Sequence, residues 1–370
     1  MRTVPAIDVA HLSEAEVRTL RLAINRSQEL GEWNIEQLRF EFLELIDLGV
    51  DLSDTAFSLD DQDIILIDPL DEDAEREEAE IRPPTVPVTR LHDIWRVGRH
   101  LVICGNSLEA LTYQLLLAGE QVHLVLCDPP YNVKIKGNVS GLGKKVHGEF
   151  VMASGELDDS QWQEFLDRLF KLLASVVVDN AVLFVFMDWR SIHRVYAAAF
   201  GAGLEILNLI VWYKEMGGMG SLYRSSHELL PVFCKGKKAR VNNVNLGAGG
   251  RNRDNTWVAP GANQRGSSAN AMLELHSTPK PLPLCADAIL DVTNRGEIVL
   301  DAFLGSGTTL IAAEETGRIC RGIELDPKYV DVAIQRWEKL TGEQAVLVAT
   351  GETFAEVAAA RRAELSSEDD

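Results

Sequence analysis

The chain contains no uninterrupted apolar run near the roughly 18 residues that a membrane-spanning helix needs. Its first residues, with Arg2 and Asp8 among short apolar groups, lack the continuous hydrophobic stretch of a secretion signal. Cysteine is sparse: Cys104, Cys127, Cys234, Cys285 and Cys320 are odd in number and widely spaced, with no CxxC pair and no histidine at zinc spacing. That excludes a disulfide framework and a zinc finger, so reduced thiols in a cytoplasmic protein are expected, with no metal. Positive charge is also scarce, 36 Lys and Arg against 56 Asp and Glu, a formal charge of −20. Bulk charge therefore cannot hold nucleic acid, and any such contact requires a local basic surface.

What is present is a globular composition. The 370 residues are 46% hydrophobic and 25% charged, enough to bury a large core in two domains, or in one large domain with an appendage. Residues 1–70 read as a small helical domain. Ser13 and Glu16 have capping-box spacing, followed by Val17, Leu20 and Ile24 on one face; Asn34 and Gln37 repeat the pattern ahead of Ile35, Leu38, Phe42 and Leu45. An acidic run from Asp71 to Glu80, closed by Pro83, Pro84 and Pro87, predicts a solvated linker over 71–90. From residue 91 to 350 short apolar runs alternate with helical stretches, and 351–370 reads as a helical, acidic tail. Runs at 101–104, 122–127, 181–187, 204–212, 229–234, 298–300 and 320–323 look like buried strands, with helices over 160–176 and 328–339. This alternation predicts an α/β fold with a mostly parallel sheet and helices on both faces, in which ligands sit at the carboxyl ends of the strands.

Two strand ends carry chemistry. The strand ending at Leu300 runs into Asp301-Ala302-Phe303-Leu304-Gly305-Ser306-Gly307-Thr308-Thr309 and then an apolar helix from Leu310. Gly305 and Gly307 let backbone approach a ligand closely, and the next strand ends at Glu324, where a carboxylate can take both hydroxyls of a ribose. A P-loop would need a lysine that is absent here. The second strand end is Asp128-Pro129-Pro130-Tyr131. Its prolines fix the turn and remove two donors, leaving carbonyl acceptors beside a carboxylate and an aromatic ring. Such a turn suits an exocyclic amino group on a flat base: Tyr131 stacks on the ring while Asp128 and the Pro129 carbonyl accept the two N–H bonds. Cys127, one strand residue earlier, should point away as a buried thiol.

Asp128 to Tyr131 together with Asp301 to Thr309 closely resembles the amino-methyltransferases that use S-adenosylmethionine (SAM) to methylate DNA bases. The catalytic motif precedes the cofactor motif, as in the permuted β class of that family. The resemblance covers about residues 91–350 and includes Gly105-Asn106-Ser107, Ser226-His227-Glu228 and His276-Ser277-Thr278-Pro279-Lys280-Pro281. It implies a circularly permuted, Rossmann-like methyltransferase fold that binds SAM. It also implies catalysis by Asp128, Pro129, Pro130 and Tyr131, with cofactor contacts from Asp301, Phe303, Gly305, Ser306, Gly307, Thr308 and Glu324. Asn106 stands where the family usually has Asp, and its amide would still accept from the adenine amino group. Thr278 and Lys280 are left as the contacts to the methionine carboxylate. Residues 1 to about 68, through Asn25-Arg26, Gly31-Glu32-Trp33 and Leu48 to Leu52, resemble the distal part of a ParB-like domain, which implies a docking or dimerisation segment.

The implied partner is double-stranded DNA, with the target base flipped out of the stack. Between Lys214 and Arg265, nine basic residues stand against Glu215, Glu228 and Asp254, so the glycine- and asparagine-rich segment 236–271 is the expected target-recognition insert. Its candidate DNA contacts are Lys237, Lys238, Arg240, Arg251 and Arg253. The loop after Tyr131, with Lys134, Lys136, Lys144 and Lys145, is expected to close over base and phosphates. Asp at the first motif position points to the N6 amine of adenine. N4-cytosine methylation is the nearest alternative, and a non-catalytic SAM- and DNA-binding subunit is a third. A homodimer is expected; a partner restriction nuclease stays open.

Overall fold

The fold is given by a computed structural model that describes residues 11–27, 35–48, 50, 52–55, 57, 59–66, 81–132, 155–215, 222–244, 246, 251, 253–260 and 280–368. The amino-terminal unit comprises α1 (Glu14–Ser27), α2 (Ile35–Asp47) and α3 (Leu59–Leu66). The capping box forms, with Ser13 N donating to Glu16 Oε2 at 2.7 Å and Glu16 N to Ser13 Oγ at 3.3 Å. Leu22, Leu38, Phe42, Leu45, Leu52, Phe57 and Ile65 build a small core of their own. The face expected for α1 is wrong: Val17, Leu20 and Ile24 are each more than a third exposed, and Leu22 is the residue that enters the core. Packing against the turn Leu52–Thr55, not the helix's own periodicity, selects that face. The second capping pair, at Asn34, and the acidic run lie outside the described residues.

Among the described residues ten strands form one sheet. They are β1 (Ile94–Val97), β2 (His100–Cys104), β3 (Val122–Cys127), β4 (Val177–Val185), β5 (Glu205–Tyr213), β6 (His227–Cys234), β7 (Thr256–Val258), β8 (Ile298–Asp301), β9 (Ile319–Glu324) and β10 (Val346–Leu347). Their order is β10-β1-β2-β9-β8-β3-β4-β6-β5-β7. β2, β9, β8, β3 and β4 are mutually parallel, whereas β6 runs antiparallel between β4 and β5. The chain thus skips two places between β2 and β3, and β8 and β9 fill them late. This brings the carboxyl ends of β3 and β8 side by side, Val125 pairing with Leu300.

The parallel strands are mostly apolar and buried because helices cover both faces. Alternation along each strand divides the core: Val102, Leu124, Leu126, Val182 and Phe186 face one layer, and Ile103, Val125, Cys127, Leu183 and Val185 the other. The first layer is closed by α7 (Leu282–Val292), α8 (Thr308–Glu315) and α9 (Pro327–Thr341). The second is closed by α4 (Ala110–Leu117), α5 (Asp159–Val176) and α6 (Ile192–Gly201). In α5, Asp158 caps Ser160 N and Gln161 N, and Trp162, Phe165, Leu166, Leu169, Phe170 and Leu173 recur at helical spacing to bury one face. Packing extends past the 91–350 span expected from sequence. Val88 and Thr89 are buried, their N–H groups held by Asp331 at 2.6 and 3.0 Å, and α10 (Phe354–Glu368) inserts Phe354 and Val357 into the first layer.

Candidate active site

The glycine turn is braced from two sides. Asp301, at the end of β8, is buried; its Oδ2 accepts from Thr309 Oγ1 at 2.6 Å and its Oδ1 from Phe303 N at 2.9 Å. Glu324, at the end of β9, accepts from Gly305 N through Oε2 at 2.8 Å and from Asp326 N through Oε1 at 2.8 Å. Burial raises both carboxyls to about 7, against the hydrogen bonds that favour their charged forms. Gly305 and Gly307 have φ of +54° and +89°, a region a side chain disfavours. A Cβ on Gly307 would also come within 2.8 Å of Ala333 Cβ, so α9 packs directly on the turn.

The Asp128 turn is built by side chains from four distant segments. Asp128 follows Leu126 on the same face of β3, where Lys280, just ahead of α7, reaches it: Lys280 Nζ lies 2.5 Å from Asp128 Oδ2 and 3.3 Å from Glu228 Oε2. The Tyr131 hydroxyl is 2.9 Å from Asp128 Oδ1 and 3.2 Å from Glu228 Oε2. Lys214, at the end of β5, pairs with Glu228 Oε1. Phe186, beyond β4, places its ring centroid 4.9 Å from Lys280 Nζ. Burial raises the Asp128 carboxyl, opposed by Lys280 and reinforced by Glu228. Burial pushes Glu228 the same way, but Lys280 and Lys214 outweigh it and hold that carboxyl at about 2. Between these carboxylates Lys280 keeps its proton well above the ordinary lysine range despite burial. Each Asp128 oxygen has one donor and one unused lone pair, so the carboxylate can still accept from an incoming N–H.

Both turns open on one small cleft, lined by Asp128, Phe186 and Lys280 from the first turn and its surroundings and by Asp301, Phe303, Gly305, Ser306 and Thr308 from the second. Cys127 contributes to the lining, but its thiol packs with the second layer, away from Asp128, and burial raises it well above the ordinary thiol range. Pro129, Pro130, Tyr131, Gly307 and Glu324 are not among the residues that line the cleft.

Several expected contacts are placed differently. Lys280 does not reach toward the glycine turn for a carboxylate; it is locked between Asp128 and Glu228. Asn106 spends its Oδ1 on Leu108 N at 2.9 Å and its Nδ2 on Glu109 at 3.3 Å, as the cap of the turn before α4. Thr278, Lys134, Lys136, Lys144 and Lys145 lie outside the described residues. The basic stretch after β6 is the largest correction. Because β6 is antiparallel, it delivers Lys237, Lys238 and Arg240 to the amino-terminal edge of the sheet, where Arg240 N donates to Asn180 O at 2.9 Å and its guanidinium pairs with Glu297 ahead of β8. Arg251 and Arg253 are paired to Asp287 and Asp291 on α7. Their charge neutralises carboxylates of this chain, on the far side of the sheet from Asp128 or along its flank. Glu228 and Lys214 were missed as site residues; the signal was an acid immediately ahead of the apolar run of β6.

A glycine turn backed by an acidic strand end shares this cleft with a part-buried carboxylate beside a proline turn, an arrangement suited to a nucleoside cofactor and an amine. Residues 122–335 match the DNA methylase family of N6/N4 methyltransferases, more than half of the chain, and the chain belongs to that family. Type II methyltransferase M.HpaI of Haemophilus parainfluenzae is 26% identical over 253 residues, 64% of this chain and 73% of that protein. Type II methyltransferase M.HinfI of Haemophilus influenzae is 25% identical over 260 residues, 65% of this chain and 68% of that protein. The PvuII DNA methyltransferase (cytosine-N4-specific) shares the fold, with a TM-score of 0.50 at 18% identity over 69% of this chain and 93% of that chain. The protein is a SAM-dependent DNA methyltransferase. The residues present fit that cofactor: Glu324 has carboxylate lone pairs beyond its bonds to Gly305 N and Asp326 N for ribose hydroxyl donors, and Gly305 brings backbone without a side chain to the cleft.

Proposed function

We propose that the enzyme methylates the N6 amine of adenine in DNA, with Asp128 as the residue that receives the amine. The observation that carries this reading is the part-buried Asp128 carboxylate, held by Lys280 and Tyr131 in the cleft that the glycine turn also lines. SAM supplies an electrophilic methyl group when bound, with Asp301, Phe303, Gly305, Ser306, Gly307, Thr308 and Glu324 as the residues that hold it.

A base amine is a poor nucleophile because its lone pair is delocalised into the ring. Asp128 and the Pro129 carbonyl accept its two N–H bonds and favour a pyramidal nitrogen whose lone pair points out of the ring plane, which lowers the barrier by positioning and charge stabilisation. Pro129 and Pro130 hold the turn rigid, and Tyr131, its hydroxyl tied to Asp128 and Glu228, offers its ring to the base. Asp128, raised by burial, is the acceptor for the proton the nitrogen loses. Adenine is favoured over cytosine by the carboxylate at the first motif position. The late insertion of β8 and β9 between β2 and β3 is the order a permuted β-class enzyme requires. We further read residues 1–70 as a docking or dimerisation segment.

Asp128→Ala tests the assignment: methyl transfer falls by at least about 10³-fold while SAM affinity stays within a few-fold of wild type. Undiminished transfer places the acceptor elsewhere.

A further inference from the structure

We propose that Trp189, backed by Arg190, is a base-stacking contact to duplex DNA at the mouth of the methylation cleft. In the sheet β4 lies between β3, which carries Asp128, and β6, which carries Glu228. Beyond its last residue the chain keeps this company: Phe186 N donates to Cys127 O at 3.0 Å, and Met187 exchanges backbone hydrogen bonds with Leu229 at 2.9 and 3.1 Å. The next residues therefore run between the Asp128 turn on one side and the start of β6 on the other. There Trp189 emerges 53% exposed.

Its direction is set by local bonds. Asp188 Oδ1 accepts from Arg190 N and Ser191 N, each at 3.0 Å, which fixes the turn, and the Arg190 guanidinium lies 4.7 Å from the Trp189 ring centroid. Arg190 also pairs with Asp188 Oδ2 at 3.1 Å, but the arginine side chain is more than half exposed, so the pair contributes little and can be exchanged for a phosphate. Tyr213 at the end of β5, Tyr223 ahead of β6 and Val258 at the end of β7 are exposed along the same edge. An aromatic edge with interspersed cations is the composition that stacks on bases and neutralises phosphates.

Duplex DNA is the occupant because the established substrate must deliver its base to the cleft from this edge, and extracting a base leaves a gap in the stack that an indole can fill. The neighbourhood to the target base rests on Asp128 being the amine acceptor; the DNA contact itself does not.

The test uses the full chain with unmethylated genomic DNA. DNA quenches the intrinsic tryptophan fluorescence of the wild type, and Trp189→Phe removes that component. Trp189→Ala raises the KM for DNA by about fivefold or more, Trp189→Phe largely restores it, and SAM affinity is unchanged in both. Arg190→Gln reduces the slope of log KM against log salt by about one. A KM for Trp189→Ala within about twofold of wild type overturns the proposal, as does a parallel loss of SAM affinity, which marks a structural role. If Asp128→Ala still methylates while Trp189→Ala behaves as predicted, the acceptor assignment fails and the DNA contact stands.

Discussion

Lys280 Nζ lies 2.5 Å from Asp128 Oδ2 although 152 residues separate them, and the same ammonium lies 3.3 Å from Glu228 Oε2. Lys280 thereby favours the ionised form of Asp128 in a site whose burial opposes charge. Replacing Lys280 by Met removes the cation that lowers the Asp128 carboxyl and leaves Glu228 to raise it further. The acid limb of the kcat against pH profile should move to higher pH, with kcat at pH 7 down by about tenfold or more. Breaking a buried pair also costs about 3–5 kcal/mol of stability. An unmoved acid limb contradicts the coupling.

Glu324 predicts how cofactor binding responds to pH. Its carboxyl is raised to about 7, so below that value it is protonated and a weaker acceptor for ribose hydroxyls. SAM affinity should therefore rise between about pH 6 and pH 8, and binding near neutrality should release a proton. Calorimetry in buffers of different ionisation enthalpy measures both. Glu324→Gln should bind more weakly and lose that part of the dependence.

Asp301 makes the opposite contribution to folding. Its carboxyl is raised by burial to about 7 from a usual value of 3.8, so between those values the folded chain holds a proton that the unfolded chain releases. Its stabilising contribution is fully present below 3.8 and is lost as pH rises through 7, a change on the order of 4 kcal/mol. The Tm of the cofactor-free protein should fall from pH 5 to pH 8, and fall less in Asp301→Asn. Glu324 has the same sign and contributes to the remainder.

Arg251 separates the two readings of the basic stretch. Its guanidinium pairs with Asp287 and sits 2.8 Å from Asp291, which is buried. Arg251→Ala should lower stability by about 3–5 kcal/mol and leave the salt dependence of DNA KM unchanged. Loss of DNA affinity with an unchanged Tm would return this residue to the DNA interface.

The parallel sheet was readable because largely apolar runs such as 122–127 and 298–300 need burial on both faces, and the glycine turn because Gly305 and Gly307 announce positive φ. The partners of charged side chains were not. Nothing local says that β6 runs antiparallel, yet that direction moves Lys237 to the far edge and Glu228 beside Asp128. Counting charge from Lys214 to Arg265 likewise omits Asp287, Asp291 and Glu297, which lie later in the chain and neutralise Arg251, Arg253 and Arg240. Trp189 is unremarkable in sequence, since only the sheet order places the segment that carries it between the Asp128 turn and the start of β6.

The most direct measurement is to incubate the protein with methyl-labelled SAM and unmethylated genomic DNA, digest to nucleosides and separate N6-methyladenine from N4-methylcytosine. The account predicts label in N6-methyladenine, abolished by Asp128→Ala. Label in N4-methylcytosine, or label that survives the substitution, contradicts it.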